Sequence, residues 1–565
     1  MEGKTESTER PSKRARTSRN DGDHTIDSEY ATKSSVSVLE KRMAALEDAF
    51  NDRFNPPPPP EDPSPFVTTQ SPSPNQLLES FQPDIVSPLA YGPSCCIFLA
   101  QSAFRQKYSR TGEPLPKPIP PRTAVFPRRE EFASEPPFLL APFPSDAVYT
   151  FPEDALRDRL IDNYFLHYNH FLPLLHRPTF QQALEAQLYL KDEAFGGTVL
   201  LVCALGTHAE PKVEDERWLG LQWFNQVDVF RSTARFARPT LHEIQMHILA
   251  IMFAHAFGKG YSVDFRLSIA FRRIIEVGAH REEAGPSSSR KELWKRAFWV
   301  LLFMDVSDAG FRGRPTTLRY EDFDARLPIE CDDQFWGEEG HPMAFVQPPS
   351  TPSTITAFNH LLKLTLQLLH IQSSMYSIRK PPGIANSVEA SDADTVMHFD
   401  SDLNLWLEAL PAHLSWQTPE SAGHFSHSAF LHITYTYVRL TIHRPFIEDN
   451  DGSSASFPIC VNAARSCLRV AEAIVSRKET IYIPHVMQCL QNAGLVSMRW
   501  AWRTVRSRQD VAKSQEFRLM GVLLDFLKNL EDKISMAGIS WDALSELMSI
   551  PSSLPESVLQ VHDFN

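Results

Sequence analysis

A chain of 565 residues is longer than one small domain needs and predicts one large or two medium domains with tails. Its hydrophobic content of 42% supports a sizeable core, whereas a net charge of −13 excludes nucleic-acid binding over the whole surface, because phosphate contacts need concentrated basic charge. The seven scattered cysteines form no disulfide framework, the first residues lack the apolar segment of a signal peptide, and no apolar run is long enough to span a bilayer, so a soluble chain in a reducing, intracellular compartment is expected.

Residues 1–35 are rich in Ser, Thr and charged side chains and hold too few apolar groups to offset the entropy of ordering, so they are predicted to be disordered. Within them Lys13, Arg14, Arg16 and Arg19 form a compact basic cluster of nuclear-import type. Val36, Leu39, Met43, Leu46 and Phe50 then recur at spacings of 3, 4, 3 and 4, which puts one apolar seam on a helix over 36–54. That seam suits a short parallel coiled coil, but it covers barely two heptads, and taken alone it reads first as an amphipathic helix docked on its own domain. Proline dominates 55–150, predicting a mostly disordered linker with a short helix over 94–104.

From 151 to 565 the composition shifts to Leu, Ile, Phe and Trp with helical periodicity, and the body is predicted to be all-α. At about 100° per residue, Leu160, Ile161, Tyr164, Phe165, Tyr168, Phe171 and Leu172 share one face. On that count His167 borders the apolar stripe, His170 sits on the polar face, and Pro173 ends or kinks the helix. Thr240 and Glu243 have the spacing of a capping box, and the apolar segment after them should be buried. Further helices are predicted over 293–304, 360–375, 430–442, 458–475, 486–505 and 517–534.

Motifs with chemistry are scarce. His167 and His170 lack a carboxylate at matching spacing to complete a metal shell, and His176 reads as a helix-end residue bonded to backbone. His242 and His247 are five apart rather than the four of the zinc-protease helix. Phosphate loops, nucleophile elbows and Cys-x-x-Cys pairs are missing from the sequence. Asp322, Asp324, Asp332 and Asp333 read as solvated loop carboxylates. The chain is therefore expected not to be an enzyme; a metalloenzyme using its histidines is the rival class.

The order of the cassettes carries more. Residues 160–180, with Tyr164, Phe165, His176, Arg177 and Pro178, resemble the opening signature of the fungal-specific transcription factor domain. This is the regulatory middle region of fungal zinc-cluster proteins, including the xylanolytic-activator type. In the same order follow residues 195–204, 276–281 and 292–299, then Asp305, Gly313-Arg314-Pro315, Glu321, Asp322, Asp324 and Leu327-Pro328. Later come Trp406, Leu410-Pro411, Trp416, His443-Arg444-Pro445-Phe446, Asn462 to Arg465, and Ala537, Gly538, Trp541, Leu544 and Leu547. Two positions depart from the pattern: Val306 stands where arginine is common, which leaves Asp305 without its usual partner, and Arg312 precedes Gly313 in place of an apolar residue.

The resemblance implies a large, multi-helix, bundle-like regulatory domain in a nuclear regulator of RNA polymerase II transcription. It also implies homodimers, or heterodimers with related factors, paired through 36–50, with a small-molecule effector or a co-regulator as further partners. The Gly313 turn and the 322–333 loop are candidates for that regulatory surface, with a purely structural turn as the alternative. DNA binding and two zinc ions belong to the family's six-cysteine cluster, and residues 20–35, between the basic cluster and the seam, hold no cysteine. As given, the chain would hold no zinc cofactor. Either a skipped exon removed the cluster, or the chain is a dimerising or effector-binding scaffold that acts on intact relatives without touching DNA.

Overall fold

The structure, a computed structural model, describes residues 95–112, 129, 149–211, 218–229, 238–256, 261–282, 287–337, 345–378, 392–416, 422–447, 455–504 and 514–549. All belong to one compact unit, Pro83–Asn565. The basic cluster Lys13, Arg14, Arg16 and Arg19 and the seam Val36, Leu39, Met43, Leu46 and Phe50 lie outside the described residues.

Among the described residues the chain is all-α, with fifteen α-helices, short 3-10 turns and one isolated bridge between Trp336 and Phe345. We number the helices α1 (Cys96–Thr111), α2 (Asp154–Tyr164), α3 (Arg177–Glu185), α4 (Glu193–Gly206), α5 (Leu221–Phe224), α6 (Leu241–His255), α7 (Tyr261–Glu276) and α8 (Ser289–Arg312). There follow α9 (Thr354–Met375), α10 (Asp392–Glu408), α11 (Ala422–His443), α12 (Ser456–Ser476), α13 (Pro484–Thr504), α14 (Gln515–Leu530) and α15 (Ser535–Met548). None of the described helices is long and apolar enough to cross a membrane.

Local chemistry explains the helix ends. Asp192, Thr240 and Ser288 each accept a hydrogen bond from the N–H three residues on, which starts α4, α6 and α8. Gly313, at φ 68, stops α8 in the left-handed region that favours glycine. The capping box at Thr240 is only half formed. Glu243 turns its carboxylate to Arg273, 2.9 Å away on α7, because the side chain is buried and an ion pair satisfies it better than a terminal N–H.

Packing is layered around the most apolar helices. In α4 every residue from Phe195 to Gly206 is buried, since it lies against α2 on one side and α6 on another. A Cβ at Gly206 would overlap the Leu160 carbonyl oxygen, so only glycine allows α2 and α4 to approach so closely. Helices α6, α7 and α8 extend this half, α9 and α10 lean on α8 and α11, and α11 to α15 form the second half around α13. All seven cysteines are buried and unbridged, with Cys460 and Cys467 on the inner face of α12.

Two expectations change. Helix α1 falls inside the segment read as a linker, is longer than the short helix expected there, and packs on α13 and α15. Its buried Lys107 donates to the Glu546 carbonyl at 2.6 Å and to Ser549 Oγ at 2.8 Å, and Tyr108 donates to Glu546 at 2.7 Å. The proline-rich flanks masked this helix because composition is averaged over a window, whereas its apolar face is only a few turns long. Second, α2 runs into a π turn at Phe165–Asn169, closed by His170 N–H bonding Phe165 O at 3.1 Å. The wider turn shifts the helical phase, so His170 leaves the expected polar face and is half-buried, its ring 3.9 Å from that of His427. The expected apolar stripe is buried throughout, from Leu160 to Leu172.

Candidate functional site

The cassettes at 160–180 and 292–299 meet the loop carrying Asp333 and Trp336 at one junction. His176 is the N-cap of α3: its Nδ1 accepts from Thr179 N–H at 3.4 Å, and its Nε2 donates to the Asp333 carbonyl at 3.1 Å. That pair of bonds fixes the tautomer with the proton on Nε2. Burial pushes its pKa down, so the ring is held neutral. It stacks on Trp336 with centroids 4.2 Å apart, and the fully buried guanidinium of Arg296 lies 4.6 Å from the same Trp336 ring. Arg296 pairs with Asp333 at 2.7 Å, and Arg177 N–H donates to the other Asp333 oxygen at 2.9 Å. Pro178 sits in the first turn of α3, where its missing N–H costs nothing. The Arg177 side chain pairs with Asp162 and covers Phe165, which packs with Tyr164 in the core.

Asp332 and Asp333 are therefore not solvated loop carboxylates. Asp332 accepts from Ser353 Oγ at 3.1 Å and from Thr354 N–H and Oγ1, both at 2.8 Å, which pins the start of α9. The difference arises because Asp332 faces the start of α9 and Asp333 the start of α3, where backbone N–H donors lack partners. Asp322 and Asp324 are exposed, as expected, and bond local groups: Arg319 N–H at 2.8 Å for the first, and Arg281 and Glu282 N–H at 3.0 and 2.7 Å for the second.

The end of α8 holds a second group. Asp305 is not left without a partner: Thr317 donates to it through N–H at 2.7 Å and Oγ1 at 2.8 Å, while Val306 is wholly buried. Burial pushes the Asp305 pKa up to about 7. For Asp308, burial favours the neutral acid, but Arg312 at 2.8 Å and His255 at 3.1 Å hold it below the usual range. Arg312 is thus buried in an ion pair, which accounts for a charge in the position before Gly313. Arg314 pairs with Asp264 of α7, and Pro315 follows where the chain leaves the helix. At the end of α11, His443 bonds Asp400 at 3.1 Å and Ser456 at 3.1 Å, the buried Arg444 donates to Asn492 at 3.3 Å, and Pro445 opens a 3-10 turn.

The structure brings Tyr164, Phe165, His176, Arg177 and Pro178 together. It leaves the Gly313-Arg314-Pro315 turn and His443-Arg444-Pro445 as separate supports. Arg296 and Trp336 were not singled out by sequence reasoning, and Asp333 was read only as a solvated loop carboxylate. The signal for Arg296 was present, since a cation at the head of the apolar run 297–304 must find an anion once that run is buried.

A cavity of about 20 Å³ lies between the two halves of the body, walled by Met252 and His255 of α6, Phe303 and Met304 of α8, and His485 and Gln488 of α13. Among the described residues, no three His, Cys, Asp or Glu side chains are grouped so as to hold a metal ion. What the arrangement offers is a set of buried polar supports and a small internal space.

Residues 161–408 match the family described as the fungal specific transcription factor domain. The chain is 24% identical over 436 residues to the transcriptional activator protein acu-15 of Neurospora crassa, covering 72% of this chain and 44% of that protein. It is 26% identical over 245 residues to activator of stress genes 1 of Saccharomyces cerevisiae, covering 42% and 24% of the two chains. With the acetamidase regulatory protein of Aspergillus fumigatus it shares 25% over 368 residues, or 63% and 43%. The chain thus spans less than half the length of each of these relatives. No solved structure matches.

Proposed function

We propose that this chain, which carries the fungal specific transcription factor domain and belongs with the fungal zinc-cluster regulators, controls transcription by RNA polymerase II in the nucleus. The helical body is its controlling part. The observation that carries this reading is likeness to a transcriptional activator that covers 72% of the chain, well beyond residues 161–408. The cassette junction supports it: Arg296, Asp333, Trp336 and His176 build a rigid frame, as a regulatory body needs, rather than a reactive centre.

Import is assigned to Lys13, Arg14, Arg16 and Arg19, and pairing of two subunits to Val36, Leu39, Met43, Leu46 and Phe50. DNA contact and two bound zinc ions belong to a product that includes the six-cysteine cluster, because residues 20–35 hold no cysteine and all seven present are buried in the body. Translation of the genomic DNA between codons 19 and 36 decides between a skipped exon and a partner-dependent scaffold. The regulatory role itself is tested by fusing the full chain to a heterologous DNA-binding module and measuring reporter transcription. A change of several-fold is expected; unchanged output at equal fusion level rejects the reading.

A further inference from the structure

One buried group in the body has unfinished chemistry. His485, in the first turn of α13, is 4% exposed, and its Nδ1 has no hydrogen-bond partner although the residue lines the internal cavity. Its other nitrogen, Nε2, lies 3.3 Å from the sulfur of Cys489, one turn on. Burial keeps the ring neutral and raises the Cys489 pKa, so the sulfur stays a thiol. Phe303 and Tyr437 stand edge-on to the ring at 5.2 and 5.6 Å and hold its plane.

The lining defines what can be accommodated. Met252, Phe303 and Met304 give an apolar wall, and thioether side chains change rotamer at little cost. At about 20 Å³ the cavity has room for one to two waters, so a larger guest relies on those methionines moving. None of the lining residues is a carboxylate, lysine or arginine, and His255 on the wall is bonded to Asp308, itself paired with Arg312 at 2.8 Å. An ionic guest would find no free counter-charge and would have to shed its hydration. The vacant Nδ1 is a donor if the thiol donates to Nε2, and an acceptor if Nε2–H faces the sulfur. A hydroxyl both donates and accepts, so it satisfies either tautomer. It also suits the N-terminal end of α13, where the helix favours an electronegative atom.

We infer that the cavity between α6, α8 and α13 is a binding site for a small neutral molecule with an apolar body and one hydroxyl, the hydroxyl held by His485 and the body by Met252, Phe303 and Met304. The site stands on this geometry alone, so a failure of the transcriptional reading would leave it intact. Because its walls come from both halves of the body, an occupant ties the halves together.

Phenol, with benzene as the partner lacking the hydroxyl, tests the site on the purified full chain by calorimetric titration and thermal melting. Phenol should bind and raise the melting temperature, and benzene should bind more weakly. His485→Phe should weaken phenol about two- to tenfold, to the level of benzene, as expected for one neutral hydrogen bond. Met304→Trp should abolish both; where that variant does not melt cooperatively, Ser307→Leu fills the same space from α8. Equal binding of phenol and benzene, or phenol binding that survives the filled cavity, would overturn the proposal. So would the lack of any phenol effect on the unsubstituted chain.

Discussion

The Arg296 junction and the His485 cavity are both polar islands in an apolar body, but they are finished to different degrees. At the junction Asp333 answers Arg296 and Arg177, and His176 spends both ring nitrogens. At the cavity one imidazole nitrogen is left over beside empty space. A completed polar network specifies a single arrangement of its helices, whereas an incomplete one costs free energy until something fills it. The first is framework and the second is receptive, although both are buried to a similar degree.

Acidification should have the largest effect, because it acts on buried rings throughout the body that surrounds both regions. Burial pushes His208, His247, His427 and His485 down to about 3, and His170, His360 and His432 to about 4. With folded values below the ordinary 6.5, the unfolded chain takes up protons first. Stability is thus fully present above about pH 6.5 and is lost as pH falls toward 4, by up to about 1.4 kcal/mol per unit for each ring. Asp305 works in the opposite direction, since its raised pKa makes stability fall as pH rises from about 4 to 7, but one carboxyl does not offset seven imidazoles. The urea midpoint should drop steeply between pH 6.5 and 5; a flat profile would refute the burial of these rings.

Next in size is Arg296→Ala, which strands Asp333 and removes the cation from Trp336. A loss of about 3–5 kcal/mol in urea unfolding is expected, as for breaking one side of a buried pair. A loss under about 1 kcal/mol would make the junction no more than a surface ion pair. Gly206→Ala should cost about 1–3 kcal/mol by forcing α4 away from the Leu160 carbonyl, with the same assay as the measure. The smallest effect belongs to the cavity: His485→Phe removes an unsatisfied nitrogen and should change stability by less than about 1 kcal/mol, or raise it. A loss as large as that of Arg296→Ala would erase the contrast between the two regions.

Much of the framework was legible in the sequence because it rests on periodicity and caps. The buried stripe from Leu160 to Leu172 and the start of α6 at Thr240 follow from local rules, whereas α8, expected over 293–304, runs on to Arg312 before Gly313 stops it. The π turn was not legible, since a constant 100° step has no place for an extra residue, and His170 was misassigned for that reason. The pairing of Arg296 with Asp333 was hidden by their separation of 37 residues along the chain. His485 gave no signal at all: it lies one residue ahead of the helix expected over 486–505, and its significance depends on a nitrogen that nothing else reaches.

Helix α1 carries a consequence for biosynthesis. Its Lys107 bonds a residue 439 positions later, so during translation α1 has no surface to join until α13 and α15 have emerged. At ordinary elongation rates of about 5–20 residues per second, that interval lasts about 20–90 s. Throughout it the adjacent thiols of Cys95 and Cys96, each 1% exposed in the finished fold, remain open to oxidants and electrophiles in the cytosol. The nascent chain passes through a window of chemical vulnerability that closes only when its last helix arrives.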